Sequence, residues 1–365
     1  MHEWHADELG PAEVVHLRPM PGMEAVVVVD NLALGPAIGG VRLTPTVSTV
    51  EVARLARAMT LKNAAAGLPH GGGKAGIRRT ADLDGISRER LMRAFARAIA
   101  HLTDYIPGPD MGTDESCMAI VHDEIGRAVG LPSALGGIPL DEVGATGYGL
   151  ACCADALALK GLLVLEGADV VIEGFGAVGT HAALALAERG ARVIGVSDSR
   201  GAVFNEQGLD VPKLVAFKRQ GDQVAAFPGG VPRTAHTVGE LDCDILVPAA
   251  QADVFDRRNA ARVNARVILQ GANLPATADA ERIFHGRGVL SIPDIIANAG
   301  GVICAAVEHA GGSRTQAFAA IAEKIGDNVA ELLDRTSREN CLPRQAAQTM
   351  ALARIRAASG YRRSF

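Results

Sequence analysis

Lysine is scarce in this chain. Only six of the 36 basic residues are Lys (Lys62, Lys74, Lys160, Lys213, Lys218 and Lys324), and the other thirty are Arg. Arginine is planar and effectively always charged, whereas lysine is a compact point charge whose pKa falls on burial. A composition this biased keeps lysine where arginine cannot substitute. Other absences narrow the function further. The six cysteines, at 117, 152, 153, 243, 304 and 341, form no CxxC pair, and the adjacent Cys152 and Cys153 suit neither a normal disulfide nor a zinc knuckle. Free thiols in a cytoplasmic protein are expected. The ten histidines form no HExxH or comparable pattern, so no metal site is expected. Hydrophobic residues make up 48% of the chain, yet no apolar run reaches the roughly 18–20 residues that span a bilayer. The first residues lack the basic-then-apolar pattern of a signal peptide. A formal net charge of -5 argues against nucleic-acid binding through a basic field.

A length of 365 residues suits two domains. Residues 24–34 open with a β-branched run that reads as a strand, residues 35–40 (GPAIGG) as a turn or close backbone approach, and residues 41–44 as another strand. Ser48 to Glu51 is a capping box that starts a helix. On that helix Val52, Leu55, Met59, Lys62 and Ala66 share one helical stripe, which predicts that Lys62 points inward. Ser87 caps a second helix with Leu91, Phe95, Ala98 and Leu102 on one face. Residues 105–112 (YIPGPDMG) read as a stiff loop centred on Asp110, and a third helix follows with Met118, Val121, Ile125 and Val129 buried. Beyond glycine-rich stretches at 136–139 and 144–147, helices alternate with short apolar strands at 168–173, 192–197, 243–248, 265–270 and 289–293. That alternation is the pattern of a doubly wound parallel sheet. Residues after about 313 read as two terminal helices.

Residues 174–179 (GFGAVG) match GxGxxG. They follow a strand, open a helix, and precede Asp198 at the end of the next strand by 24 residues. Gly174, Gly176 and Gly179 would serve a tight turn, close approach to a pyrophosphate, and helix–sheet packing. The helix start at Ala177 and Val178 would carry the anion. Asp198 would accept hydrogen bonds from the adenosine ribose, which favours NAD, and Arg200 nearby leaves NADP open.

Lys62 and Lys74 bracket residues 59–77 (MTLKNAAAGLPHGGGKAGI), which closely resemble the substrate segment of the glutamate/leucine/phenylalanine/valine dehydrogenase family. Residues 35–42 (GPAIGGVR), 109–113 (PDMGT), 197–201 (SDSRG), 270–273 (QGAN) and 293–301 (PDIIANAGG) continue the likeness in order over nearly the whole chain. The resemblance implies an α/β fold of two domains. An N-terminal mixed-sheet substrate and oligomerisation domain (1–137) precedes a C-terminal Rossmann-type, doubly wound domain (138–330) and C-terminal helices (331–365). It implies a cytoplasmic homo-oligomer that binds neither membrane nor nucleic acid and uses NAD, or NADP, to deaminate an L-amino acid oxidatively to a 2-oxo acid and ammonia. By resemblance Lys74 is the catalytic lysine and Asp110 the carboxylate that exchanges protons with the amino group. Lys62 binds the substrate α-carboxylate, Gly39 and Gly40 lie against the substrate, and Asn298 positions substrate and nicotinamide. Thr146, Ala249 and Asn273 help to hold the cofactor. A desolvated lysine beside another cation has a lowered pKa, and Lys62 is the expected depressing charge for Lys74.

Glutamate-specific members carry a lysine where this chain has Ile38. An apolar residue cannot pair a buried carboxylate, which would cost several kcal/mol, so an apolar substrate of the leucine, valine or phenylalanine type is expected. Gly108, Val302 and Ala305 are expected near its side chain, and their small size suits a bulky one. The alternative is glutamate, favoured by cofactor-domain stretches such as residues 196–201 and 272–275. A catalytically silent dinucleotide-binding regulator is the remote alternative.

Overall fold

The computed structural model describes residues 6–79, 85–140 and 142–361. The chain divides into two compact units. One comprises Met1–Leu140, Val302–Ala317 and Thr349–Phe365, and the other Asp141–Gly301 and Phe318–Gln348. The two C-terminal helices are divided between the units. The helix Arg314–Glu339 changes unit after Ala317 and the helix Pro343–Ser359 after Gln348.

In the first unit, β1 (Glu13–Leu17), β2 (Glu24–Asn31), β3 (Ala37–Thr44), β4 (Gly71–Arg78) and β5 (Tyr105–Pro109) form one sheet in the order β1-β2-β4-β3-β5. It is mixed: β1–β2 and β2–β4 are antiparallel, and β3 runs parallel to both β4 and β5. Two stretches read from sequence as turn or loop are strand, and so is the glycine run 71–73. Residues 37–40 continue into β3, the glycine run 71–73 opens β4, and residues 105–109 are β5. The prolines of β5 are tolerated because it is an edge strand, with one side free of ladder partners.

Alternation along each strand divides this sheet into two chemically different faces. Ala25, Val27, Val29, Ala37, Val41, Leu43, Ala75, Ile77 and Tyr105 pack into one core with Leu91, Met92 and Phe95 of α2 (Arg88–Ala98) and Met118 and Val121 of α3 (Glu115–Ile125). Ser87 and Asp114 cap these helices, and left-handed Gly126 ends α3 before Val129, which therefore does not belong to that helix. The opposite face presents Ile38, Gly40 and Arg42 of β3, Gly72, Lys74 and Gly76 of β4, and Ile106 and Gly108 of β5. Part of it is covered by α1 (Thr49–Ala65), whose Val52, Ala53 and Ala56 pack with Val26 and Val28.

The buried residues of α1 are Val52, Ala53, Ala56, Thr60, Asn63, Ala64 and Ala65, while Leu55, Met59 and Lys62 are only half-buried. The expected inward position of Lys62 is thus corrected to the flank of the helix. The cause is the glycine floor. A Cβ on Gly72 would lie 2.0 Å from the Thr60 nitrogen, so only small side chains let α1 sit this close to β4, and the long ones are turned aside.

The second unit carries a seven-stranded sheet, in which β6 is Asp169–Glu173, β7 Arg192–Asp198, β8 Gly201–Phe204, β9 Val231–Arg233, β10 Cys243–Pro248, β11 Ala265–Leu269 and β12 Leu290–Ile292. The order is β12-β11-β10-β6-β7-β8-β9. The first five are parallel and the last two add an antiparallel edge. Val170, Val171 and Ile172 are all buried in succession, as expected of a strand covered on both faces. Four helices of this unit are α4 (Ala145–Leu159), α5 (Ala177–Ala187), α6 (Val211–Arg219) and α7 (Ala278–Gly286).

Candidate active site and nucleotide site

In the first unit the side of the sheet that α1 leaves open holds a charged cluster. Lys74 lies in the middle of β4 at 6% exposure, and its Nζ is 3.0 Å from Oδ2 of Asp110. Asp110 follows β5 directly, and its turn is pinned by Thr113, whose hydroxyl accepts from the Asp110 N–H and donates to the Val41 carbonyl. The same Asp110 oxygen accepts from Arg42 Nε at 2.9 Å, and Arg42 also donates to Glu51. Gly40 lies between them: a Cβ there would sit 2.7 Å from the Asp110 Cβ and 3.1 Å from the Lys74 Nζ. Gly39 faces the other way. A Cβ on it would strike the Gly73 carbonyl at 1.6 Å, and its own carbonyl accepts from the Tyr105 hydroxyl.

Burial pushes the Lys74 pKa down, against the pull of Asp110, and Arg42 pushes it down further. Arg42 is thus a second cation acting on Lys74. Burial works to raise the Asp110 pKa, but Lys74 and Arg42 outweigh it and hold the carboxyl below its usual range. Because Arg42 stays on the shared oxygen, Lys74 can lose its proton without stranding a buried carboxylate, the situation that makes broken buried pairs costly. Sequence reasoning gave Arg42 no role. Its only signal was its place at the end of the 35–42 motif.

Beside this cluster an apolar wall forms from Ile38, Ile106, Val129 and Ala305, each at 4% exposure or less, with Leu140 packed against it. Gly108 sits under Val129: a Cβ on this glycine would lie 3.2 Å from the Val129 Cγ2. The helix Gly300–His309 is fastened there by Glu308, whose two oxygens accept from the Gly130 and Leu131 N–H groups at 2.7 and 2.9 Å. Ala305 lies within the wall, and Val302, three residues earlier on that helix, is half-buried.

In the second unit the glycine fingerprint forms the turn and the close helix packing expected of its spacing. Gly174 adopts a left-handed φ of 96°, and a Cβ there would meet Ala250 at 2.6 Å. A Cβ on Gly179 would lie 2.0 Å from the Gly174 carbonyl, so α5 crosses the strand end as closely as glycine allows. Gly176 faces open space at the start of α5, where Ala177 and Val178 begin the helix. At the same C-terminal edge of the sheet, Ala249 follows β10 and donates to the Glu173 carbonyl. Asn298 donates to the carbonyls of Gly271 and Ala272 and to Asn273 Oδ1. Thr146 lies in the first turn of α4, its hydroxyl 3.1 Å from a Cβ placed on Gly301. Arg344 ties this edge together through Glu281, Gln270 and Asp294. Asp198 ends β7, and both of its oxygens are engaged within the protein. Oδ1 accepts from the Arg200 N–H, and Oδ2 from Lys218 and the Val224 N–H.

The family model of the glutamate/leucine/phenylalanine/valine dehydrogenases matches residues 136–363, and that of the family's dimerisation domain matches residues 18–127. The chain belongs to this family. It is 39% identical to a glutamate dehydrogenase of Aeropyrum pernix over 89% of this chain and 83% of that one. It is 41% identical to an NADP-specific glutamate dehydrogenase of Saccharolobus shibatae (77% and 69%), and 40% identical to a catabolic NAD-specific one of Bacillus subtilis (74% and 67%). Among solved structures, a hetero-hexameric glutamate dehydrogenase of Thermus thermophilus in a Leu-bound form superposes with a TM-score of 0.85 at 31% identity, covering 97% of this chain and 91% of that one.

The protein is thus an amino-acid dehydrogenase, an oxidoreductase that uses NAD or NADP. The second unit fits such a dinucleotide: Gly176 leaves room at the helix start, and Asn298 Oδ1 is buried without a hydrogen-bond partner. An orphaned buried acceptor is uncommon in a native fold, and this one is available to a ligand's donor. Among the described residues no helix is long and apolar enough to cross a membrane, and no group of three or more His, Cys, Asp or Glu side chains is arranged to hold a metal ion.

Proposed function

We propose that this dehydrogenase deaminates an L-amino acid with an apolar side chain, and that Lys74 and Asp110 carry the proton transfers. NAD or NADP, when bound, supplies the acceptor for the hydride leaving the substrate Cα. Lys62, half-buried on the flank of α1, holds the α-carboxylate. Asp110 takes a proton from the substrate amino group. Once the iminium has formed, neutral Lys74 accepts a proton from the water that adds to its carbon, and Asp110 returns a proton to the departing ammonia. The observation that carries this reading is Lys74: a lysine buried in a glycine-lined strand, depressed by burial, and sharing one carboxylate oxygen with a permanent cation.

The apolar substrate rests on Ile38, buried in a wall with Ile106, Val129 and Ala305. The relatives weigh the other way. The three sequence relatives are named glutamate dehydrogenases, so glutamate is the reading the comparisons support better, and it stands as the second reading. The dimerisation-domain match supports assembly as a homo-oligomer, and the hetero-hexameric relative supports an oligomer of some kind; the free cysteines suit a reducing, cytoplasmic setting. Steady-state rates with leucine, valine, phenylalanine and glutamate, each with NAD and NADP, decide the substrate. Turnover of the apolar amino acids is expected to exceed that of glutamate. Fast turnover of glutamate alone would overturn the argument from Ile38.

A further inference from the structure

The acidic residue at the end of β7 is expected to read the adenosine ribose through two free oxygens. Here it is not free. Asp198 has a side chain only 6% exposed, and its Oδ1 is taken by the Arg200 N–H at 2.8 Å. Its Oδ2 is taken by the Lys218 ammonium and the Val224 N–H. Three separate segments converge on one carboxylate: the turn after β7, the last turn of α6, and residue 224. Lys218 itself is 27% exposed and has three donor hydrogens, so it reaches solvent while it neutralises Asp198. Arg200 is exposed alongside, anchored by donation to the Gly221 carbonyl at 3.0 Å.

Resting on the reading of residues 174–179 as the dinucleotide site, we propose that Lys218 decides which dinucleotide is accepted, by giving the 2′ corner of the adenosine ribose a net positive charge. With only Asp198 and Arg200 the corner would carry no net charge, and the carboxylate would be left to accept from ribose hydroxyls and to repel a phosphate. With Lys218 paired to Asp198 and Arg200 beside them, the balance is one negative charge against two positive. Asp198 then serves to hold Lys218 in place. The donors left facing outward belong to an ammonium and a guanidinium, the groups that bind phosphate by charge-assisted hydrogen bonds. A motif that reads as an NAD signature in the sequence thereby becomes a site that accepts the 2′-phosphate of NADP.

The test is equilibrium binding of NADPH and NADH to the full-length protein, followed by cofactor fluorescence and calorimetry without amino acid. The unmodified protein should bind NADPH at least as tightly as NADH. Lys218→Met should weaken NADPH by about tenfold or more while leaving NADH within about twofold, and Lys218→Arg, which keeps the charge, should retain the original ratio. Because the readout is a ratio of two ligands on one preparation, loss of folded protein does not imitate it. A NADPH-to-NADH affinity ratio unmoved by Lys218→Met overturns the assignment to Lys218. So does an unmodified protein that binds NADH more than about tenfold tighter than NADPH. An unmodified protein that binds neither nucleotide overturns the reading of the fingerprint on which the assignment rests.

Discussion

Replacing Glu173 with Gln should stabilise the protein above neutral pH and not below pH 5. Glu173 ends β6, immediately before the fingerprint glycine. Its Oε2 is buried without a hydrogen-bond partner. Burial pushes its pKa from the ordinary 4.5 up to about 7, against a smaller opposing pull from the Ala250 N–H. The folded state therefore holds this proton more tightly than the unfolded chain does. Stability is fully present below 4.5 and is lost as pH rises towards about 7. At about 1.4 kcal/mol per pH unit the displacement amounts to about 3 kcal/mol, and partial exposure of the side chain brings the expectation to about 2 kcal/mol. Glutamine keeps an acceptor for the Ala250 N–H and cannot ionise. Thermal melts of the two proteins near pH 5 and about pH 8 read the difference: the midpoints should coincide at the lower pH, and the variant should melt a few degrees higher at the upper one. Equal midpoints at both pH values would refute the claim that a desolvated carboxyl sits at the end of β6.

Gly40→Ala should lower turnover by about a hundredfold while nucleotide affinity stays put, because the new methyl would press on both Asp110 and Lys74; unchanged turnover measured by steady-state kinetics would show that the two side chains do not need this spacing. Arg42→Met removes the cation that helps to depress Lys74, so the basic rise of the pH–rate profile should move to higher pH; a profile that does not move would remove Arg42 from the proton chemistry. Arg344→Met should destabilise the second unit by about 3–5 kcal/mol, since it strands the buried carboxylates of Glu281 and Asp294; denaturant unfolding with an unchanged midpoint would contradict that.

The glycine fingerprint was fully legible because each glycine answers a local demand: a left-handed turn at 174, an open approach at 176 and a backbone contact at 179. The other glycine cluster was not legible as a strand, for an instructive reason. Residues 71–73 look like a turn in one dimension, yet they form a strand whose missing side chains let β3 and α1 approach β4. The same floor selects Ala53, Ala56 and Thr60 for the buried face of α1 and displaces Leu55, Met59 and Lys62, which a reading by hydrophobicity places inside. Residues 105–109 were hidden by their prolines, which an edge strand accepts. Arg42 and Lys218 escaped notice because each acts through a carboxylate distant in sequence, Asp110 and Asp198. Partners of that kind have no local signature.

Whether Lys74 is the base of an amino-acid dehydrogenase is tested most directly by following formation of reduced cofactor from L-amino acid with the unmodified chain and with Lys74→Ala, alongside nucleotide binding to both. The unmodified chain should turn over, and the variant should lose about 10²–10⁴-fold in kcat with its nucleotide affinity intact. Turnover by Lys74→Ala at a rate near that of the unmodified chain would contradict the assignment.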